Sequence, residues 1–398
     1  MPQLRAAPAP SVEIGVSDPE AALVLSLVGD RPRAPAGIDW EEAVGLLRAH
    51  GLEGLAAAAH RRAGLLPDRV AAELEPAYRL TGLRSTLTLE AARRARSALA
   101  DAGIPSLLYK GAALLEDGTY PDPGGRRMDD ADLVIPPERA DEAVDRLRRA
   151  GFEPWSPWTG ERVRWLDSVC LTDREAPPGT DEITVDLHWR VRYGRMRYGE
   201  AAGPEILWED ADLKEGLPAP GPHFLVLAEH LLKHLHVLVH FPGLADLARL
   251  SRRLEEWEWV ADRAARHPSA RAFGILFGFL GRELGAPLPA EAEELGGGSW
   301  TRRLSRRALD PAALVRSGSP AGGRIRGLLF RWLLVGSPLS ALGEVLRTTL
   351  PGSRWLRARY GTADGWLPGL YVRYWRDVLR WATGRGRSPV SPNQEFFE

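Results

Sequence analysis

The feature that most constrains the fold is a change of periodicity in the middle of the chain. Residues 183–191 alternate strictly between apolar and polar side chains, which is the two-residue period of a β-strand with one buried face. Residues 104–109 and 130–135 are two further short runs of strand character. Outside this segment, apolar residues recur at helical spacing instead. The pattern therefore predicts a mixed α/β segment enclosed by helices.

The fold class that follows is α/β, of the α+β kind, with a small sheet core flanked by N-terminal and C-terminal helical regions. The chain of 398 residues is long enough to bury such a core without disulfides or structural metal ions. The predicted parts are a disordered lead, an N-terminal helical region, an α/β core, a C-terminal helical domain and a disordered tail. They cover residues 1–17, 18–103, 104–215, 216–383 and 384–398, in that order.

Composition excludes several classes of protein. The single cysteine, Cys170, excludes a disulfide scaffold and a multi-cysteine metal site, and its isolation favours a buried apolar role over a nucleophile. A formal net charge of −1 gives no reason to expect a nucleic-acid partner. No apolar run reaches the roughly 18 residues of a transmembrane helix, and the N-terminus lacks a signal-peptide pattern. We therefore expect a cytoplasmic protein.

The charge is unevenly distributed, because residues 301–398 contain 17 arginines and 6 acidic residues. This basic segment has three interpretations: a polyanion partner, a membrane surface, or the acidic remainder of the same chain. Residues 324–331, with neighbouring apolar side chains, are the candidate for a membrane surface.

Two aspartates open the second predicted strand. Asp130 and Asp132 are two residues apart, so both carboxylates point to the same face, about 6.6 Å apart along the backbone. At an effective dielectric near 20 their repulsion is roughly 2.5 kcal/mol, which a divalent cation between them would offset. Oxygen ligands of this kind suit Mg²⁺ or Mn²⁺. A solvated strand end is the alternative explanation.

A third carboxylate, that of Asp186, lies on the polar face of the strand at 183–191. If the two strands are neighbours, Asp186 comes within reach of the aspartate pair. Three carboxylates that hold divalent metals are a recurring arrangement for phosphoryl and nucleotidyl transfer. An exposed strand face is the alternative for Asp186 and for His188 beside it.

These residues belong to a longer pattern that resembles an uncharacterised bacterial nucleotidyltransferase family, a branch of the DNA polymerase β superfamily. The pattern is an apolar strand that ends in Lys-Gly, a Tyr-Pro-Asp-Pro loop, an arginine four residues before Asp-x-Asp, and an acid-x-His-Trp strand. The resemblance extends over most of the chain, from about residue 40 to 380. The matching positions are Lys110, Gly111, Tyr120 to Pro123, Arg126, Asp130, Asp132, Asp186, His188 and Trp189.

The resemblance implies a polymerase β-like sheet core and a metal-dependent enzyme that moves a nucleoside monophosphate from an NTP, with ATP expected, to an acceptor hydroxyl. Asp130 and Asp132 would hold Mg²⁺ or Mn²⁺. Asp186 would complete the metal site and help to deprotonate the acceptor. The acceptor, a small molecule, peptide or protein, is not identified by the resemblance. The alternative is a non-catalytic nucleotide-binding or membrane-peripheral protein with a relic site.

The predicted nucleotide-binding residues are Lys110, Gly111, Arg126 and His188. The wider superfamily has Gly-Ser where this chain has Lys110-Gly111. A glycine still lets backbone N–H groups approach phosphate, and a lysine supplies a point charge. Only three of the 52 basic residues are lysines, which favours a functional Lys110 over a surface lysine. For Arg126 the alternative is an ion pair with Asp129 or Asp130, and Arg127 is the weaker candidate.

Four histidines between residues 230 and 240 raise the question of a zinc site. Along one continuous helix the pair His230 and His234 faces away from the pair His236 and His240, so the four cannot enclose one metal ion. Packing and hydrogen bonding are the favoured roles. The alternative places His234 or the neighbouring Lys233 against the nucleotide or the acceptor.

Overall fold

A computed structural model describes most of the residues of the chain. These are residues 17–155, 168–178, 182–189, 204–235, 240–267, 269–317, 350–353, 356–357, 360 and 366–382. The predicted disordered tail and all but residue 17 of the predicted lead lie outside them, as do residues 324–331.

Helices dominate both ends of the described chain, and five strands lie between them. The strands are β1 (Leu107–Tyr109), β2 (Ala131–Val134), β3 (Phe152–Pro154), β4 (Ser168–Asp173) and β5 (Thr184–His188). The helices are α1 (Pro19–Val28), α2 (Trp40–Ala49), α3 (Glu53–Ala63), α4 (Asp68–Asp101), α5 (Lys110–Glu116), α6 (Ala140–Arg149), α7 (Pro220–Leu235), α8 (Phe241–Leu250), α9 (Trp257–Arg266), α10 (Ala270–Leu284), α11 (Ala290–Glu294), α12 (Ser299–Ala308), α13 (Pro311–Ser317) and α14 (Leu367–Ala382).

The five strands form one mixed sheet in the order β1-β2-β5-β4-β3. The central pair, β2 and β5, is parallel, while the other three pairings are antiparallel. Two strands that are distant in sequence are therefore neighbours at the centre of the sheet. The prediction of a mixed α/β fold with flanking helices is confirmed.

One face of the sheet packs under α4 and α6 and is apolar except for Asp173 at the end of β4, which pairs with Arg94 of α4. The alanines that α4 places against it are small enough to let the helix axis approach the strands closely. This is the buried face that the alternation at 183–191 predicts, and Trp189 at its end is fully buried. The strand residues of this core are Leu108, Ala131, Leu133, Phe152, Val169, Leu171, Val185 and Leu187.

A second core joins the N-terminal helices to the C-terminal ones. It combines apolar residues of α1, α2 and α3 with residues of α7, α8, α9 and α10, and it reaches the sheet at Leu107 and Val134. Helix α4 contributes to both cores, with Val70 and Leu74 in this one and its C-terminal alanines under the sheet. The helical regions before and after the sheet therefore share one apolar interior.

Helix α1 lies at the centre of this second core. Nine of its ten residues are buried, and it contacts α2, α3, α8, α10 and α13. Asp18 caps its N-terminus by accepting a hydrogen bond from the N–H of Ala21, 2.9 Å away. The predicted N-terminal helical region, which begins at residue 18, therefore includes α1.

None of the described helices is long and apolar enough to cross a membrane.

The boundaries of the elements agree in part with the sequence pattern. Helix α4 ends just before Gly103, and this glycine adopts the left-handed conformation with φ of 66°. The loop at Tyr120 to Gly125 contains a short 3₁₀ turn, Pro123–Gly125. The predicted strands at 104–109 and 130–135 are shorter in the structure, while β3 and β4 are additions to the prediction.

A buried histidine makes the stability of this fold sensitive to acid. His223 lies in the first turn of α7 with 1% of its surface exposed, and its Nε2 has no hydrogen-bond partner among the described residues. Burial lowers the pKa of His223 to about 4, although Asp117 and Asp246 act in the opposite direction. In the unfolded chain the same imidazole titrates near 6.5.

Because the folded state resists protonation of His223, its contribution to stability is complete above pH 6.5 and is lost as the pH falls towards 4. From pH 7 to pH 5 we expect this group to reduce the free energy of unfolding by about 2 kcal/mol. Urea unfolding at the two pH values measures the change. In the His223→Gln variant the free energy of unfolding should fall by about 2 kcal/mol less between pH 7 and pH 5 than in the wild type. An equal fall in both proteins would show that His223 is not the cause of the acid sensitivity.

Candidate nucleotidyl-transfer site

The parallel pairing of β2 and β5 brings two predicted carboxylates together. In the register of the two strands Asp132 lies directly opposite Asp186. Both side chains project from the face of the sheet opposite the apolar one, because Ala131 and Leu133 occupy the buried face. Asp132 is 3% exposed, and Asp186 is partly buried. The condition under which Asp186 reaches the aspartate pair, that the two strands are neighbours, is therefore met.

Lys110 lies at the tight turn between β1 and α5. Its φ of 52° is in the left-handed region, which is uncommon for a residue with a side chain. From this position its Nζ donates a hydrogen bond of 2.6 Å to Oδ1 of Asp132. The lysine is therefore partly buried at the carboxylate site, and the alternative of a surface lysine at a strand end does not describe it.

His188, the last residue of β5, lies between the two carboxylates. Its Nε2 is 3.1 Å from Oδ1 of Asp132 and 3.0 Å from Oδ2 of Asp186. The ring of Tyr109 packs edge-on against the imidazole, with the centroids 5.3 Å apart. Burial alone would lower the pKa of His188, but Asp186 and Asp132 raise it to about 9. The imidazole is therefore positively charged at neutral pH.

The two cations stabilise the charge of Asp132. Burial acts to raise its pKa, but Lys110 and His188 reverse this effect and hold the pKa well below its ordinary value. Burial also acts to lower the pKa of Lys110, and the nearby aspartates, Asp132 first, raise it above its ordinary value. A buried carboxylate and a buried amine therefore keep their charges because each has the other as a partner.

Asp130 lies in the turn immediately before β2 and its residue surface is exposed. The charge of Asp132 raises the pKa of Asp130 to about 7, and desolvation acts in the same direction. Asp130 is therefore close enough to Asp132 for the two carboxylates to interact electrostatically. The tight group of candidate metal ligands is formed by other residues, namely Asp132, Asp186 and His188.

These three side chains fit a divalent cation once the imidazole of His188 has released its proton, because a protonated Nε2 has no lone pair to offer a metal. One ligand atom from each lies within 4.8 Å of the others. In addition, Oδ1 of Asp186 is buried and has no hydrogen-bond partner among the described residues. An unpaired buried carboxylate oxygen is costly unless a cation or a proton donor reaches it. Carboxylate oxygens suit both Mg²⁺ and Mn²⁺, whereas the imidazole nitrogen suits Mn²⁺ better than Mg²⁺. Both ions are therefore candidates for this site.

The packing around position 111 suits a glycine. A Cβ added at Gly111 would lie 3.1 Å from the side chain of Met128 and 3.4 Å from Nη2 of Arg126. A serine side chain here would have to displace Met128, so glycine suits this packing.

Arg126 is held by a residue that the sequence analysis does not identify. Its Nε and Nη2 donate to the two oxygens of Asp246 on α8, each at 2.8 Å, in a bidentate ion pair. Asp246 also accepts a hydrogen bond of 2.8 Å from the hydroxyl of Tyr120. Arg249, one turn further along α8, lies over the ring of Tyr120 and pairs with Asp30. This buried network connects the C-terminal helices to the site.

The alternative for Arg126, an ion pair with Asp129 or Asp130, is wrong in its partner, because the guanidinium pairs with Asp246 instead. It is the neighbouring Arg127 that pairs with Asp129, at 3.0 Å on the surface. The guanidinium of Arg126 remains beside Gly111, so it still lies at the predicted nucleotide-binding turn.

The histidines of α7 and α8 form no metal cluster within the described part of the chain. His240 caps α8, since its Nδ1 accepts a hydrogen bond of 3.0 Å from the N–H of Gly243. This agrees with the hydrogen-bonding role that the sequence favours. His236 and the side chains of Lys233 and His234 lie outside the described residues.

A five-stranded mixed sheet with two aspartates on adjacent central strands, beside a lysine-glycine turn, agrees with the fold of the nucleotidyltransferases that the sequence resembles. Residues 36–284 match the family described as uncharacterised nucleotidyltransferase, and the chain belongs to this family. Comparisons with curated proteins and with solved structures gave no match. Membership supports nucleotidyl transfer as the general activity.

The Arg126–Asp246 pair yields a test of stability. Asp246→Ala leaves a buried guanidinium without its carboxylate, so we expect a loss of about 3 to 5 kcal/mol in the free energy of unfolding. Tyr120→Phe removes one hydrogen bond to the same carboxylate and should cost about 1 kcal/mol. Urea denaturation at pH 7 measures both. If both variants lose the same free energy of unfolding, the ion pair contributes no more to stability than the hydrogen bond of Tyr120, and the expectation is wrong.

Proposed function

We propose that this chain transfers a nucleoside monophosphate from an NTP, with ATP as the expected donor, to an acceptor hydroxyl in a reaction that requires Mg²⁺ or Mn²⁺. The observation that carries the proposal is the pairing of Asp132 with Asp186 across β2 and β5, with an unpaired buried oxygen on Asp186. A relic site is a weaker alternative, because loss of the carboxylates is the usual sign of decay and here they are brought together.

The reaction forms a bond between the acceptor oxygen and the α-phosphorus of the NTP. The bond from that phosphorus to the bridging oxygen of the β-phosphate breaks, and pyrophosphate leaves with the electron pair. When bound, the divalent cation would neutralise the phosphate charge and lower the pKa of the acceptor hydroxyl. Asp132, Asp186 and His188 would hold it, with Asp130 completing the ligands. Oδ1 of Asp186 would accept the proton of the acceptor hydroxyl.

Lys110 and Arg126 would bind the triphosphate. Both cations lie on the β1 side of Asp132, one at the turn itself and the other beside Gly111. Asp246 occupies one edge of the Arg126 guanidinium, and this fixes the direction in which the remaining N–H groups point. A fixed guanidinium loses less entropy when it binds phosphate than a mobile surface arginine does.

Removal of either central carboxylate should abolish turnover. We expect Asp132→Asn and Asp186→Asn each to lower the rate of pyrophosphate release from ATP with Mg²⁺ by a factor of about 10³ or more, because the cation loses a charged ligand. The matched control is Asp129→Asn, an exposed aspartate beside the same strand, which should remain within about twofold of the wild type. Folded variants that retain wild-type rates at either central position would exclude the proposed site.

Lys110 provides a separate test of the phosphate contact. Lys110→Ala should raise the KM for ATP by about tenfold or more, since a charge-assisted contact contributes about 1.5 to 3 kcal/mol. The surface residue Lys214 is the matched control, because it is an exposed lysine in the loop before α7. Initial rates over a range of ATP concentrations separate KM from kcat. A change in KM that is the same for both lysine variants would show that Lys110 does not bind the donor.

A further inference from the structure

A row of five side chains crosses the sheet at the level of the carboxylates. Strand register places Tyr109 opposite Asp132, Asp132 opposite Asp186, and Asp186 opposite Cys170. The row continues to Trp155, which follows β3 and donates its backbone N–H to the carbonyl of Cys170 at 3.1 Å. All five side chains belong to the same face of the sheet, because opposite residues in paired strands share a face.

The indole at the end of this row is exposed and held in place. Trp155 has 59% of its surface exposed, and its Nε1 donates a hydrogen bond of 2.8 Å to Oγ1 of Thr172 on β4. Thr172 in turn donates to the carboxylate of Glu182, which fixes the orientation of its hydroxyl. Among the large apolar side chains that are exposed in the described ranges, Trp155 is the one attached to the sheet.

The two sides of the carboxylate pair have different chemistry. The cations proposed to bind the triphosphate, Lys110 and Arg126, lie on the β1 side. In an in-line displacement the acceptor oxygen approaches the phosphorus opposite the leaving pyrophosphate. The acceptor should therefore approach from the β4 side, where the row continues through Cys170 to Trp155. Burial and the charge of Asp186 raise the pKa of the Cys170 thiol, so this surface is neutral at Cys170.

We propose that Trp155 is the binding platform for the acceptor and that the acceptor carries a ring that stacks on the indole while its hydroxyl reaches Asp186. The proposal rests on the proposed function of the same site. Two strand spacings of about 4.8 Å separate the backbones of the two residues, so the ring and the hydroxyl are joined by a short linker. Glu182 and Glu153 place negative charge on this face, which favours a neutral or cationic acceptor over an anionic one.

The test uses three hydroxyl compounds as probes: 2-phenylethanol with an aromatic ring, methyl glucoside with a sugar ring, and 1-propanol without a ring. Formation of the adenylylated probe and release of pyrophosphate are measured with ATP and Mg²⁺. We expect the wild type to use at least one ring-bearing probe with a kcat/KM at least about tenfold above that for propanol. Trp155→Ala should remove this preference, because stacking on an aromatic side chain contributes about 5- to 100-fold.

Two variants separate stacking from structure. Trp155→Phe keeps a ring but loses the bond to Thr172, so it should retain part of the preference, whereas Trp366→Ala removes another exposed tryptophan and should retain all of it. The rate of pyrophosphate release with water or propanol as the acceptor should stay within about twofold of the wild-type rate in every variant.

Three results would overturn the proposal: a wild type that shows no preference for a ring, a Trp155→Ala variant that keeps the preference, and an equal loss with all probes. A wild type that releases no pyrophosphate under any condition would instead contradict the proposed function. Whether the aromatic or the sugar probe is preferred identifies the kind of ring.

Discussion

The parallel pairing of β2 with β5 is the interaction on which the rest of the site depends. A slip of one residue between the strands would move every side chain to the opposite face. The apolar residues under α4, such as Leu133 and Leu187, prevent such a slip because they would then be exposed. The packing of a helix on one face of the sheet therefore determines that Asp132 and Asp186 meet on the other face. The position of the carboxylates follows from the hydrophobic core.

Placing two carboxylates side by side requires positive charge, and the fold supplies it from two directions. Lys110 comes from the β1–α5 turn and His188 from the end of β5 itself. Each contacts Oδ1 of Asp132, while Oδ1 of Asp186 stays without a hydrogen bond among the described residues. The site is therefore nearly balanced in charge but retains one unsatisfied acceptor, the Oδ1 of Asp186.

The features that the sequence predicts correctly are local ones. The two-residue alternation identifies the polar face that carries Asp186, and the short apolar runs identify the edge strand β1 and its neighbour β2. The features that it misses depend on distant contacts: Asp246 is 120 residues from its partner Arg126, in a helix with no motif of its own. Trp155 is likewise an ordinary aromatic residue in the sequence, and only the strand register places it in the row of the carboxylates.

The same distant contacts give the C-terminal helices a role at the site. Helix α8 holds Arg126 through Asp246, and its Arg249 reaches Asp30 at the end of the buried helix α1. A change in the packing of α8 would therefore move the guanidinium that lies beside Gly111. The row from Tyr109 to Trp155 is set by strand register and would not move with it. Under the proposed function, different parts of the fold would therefore control donor binding and acceptor binding.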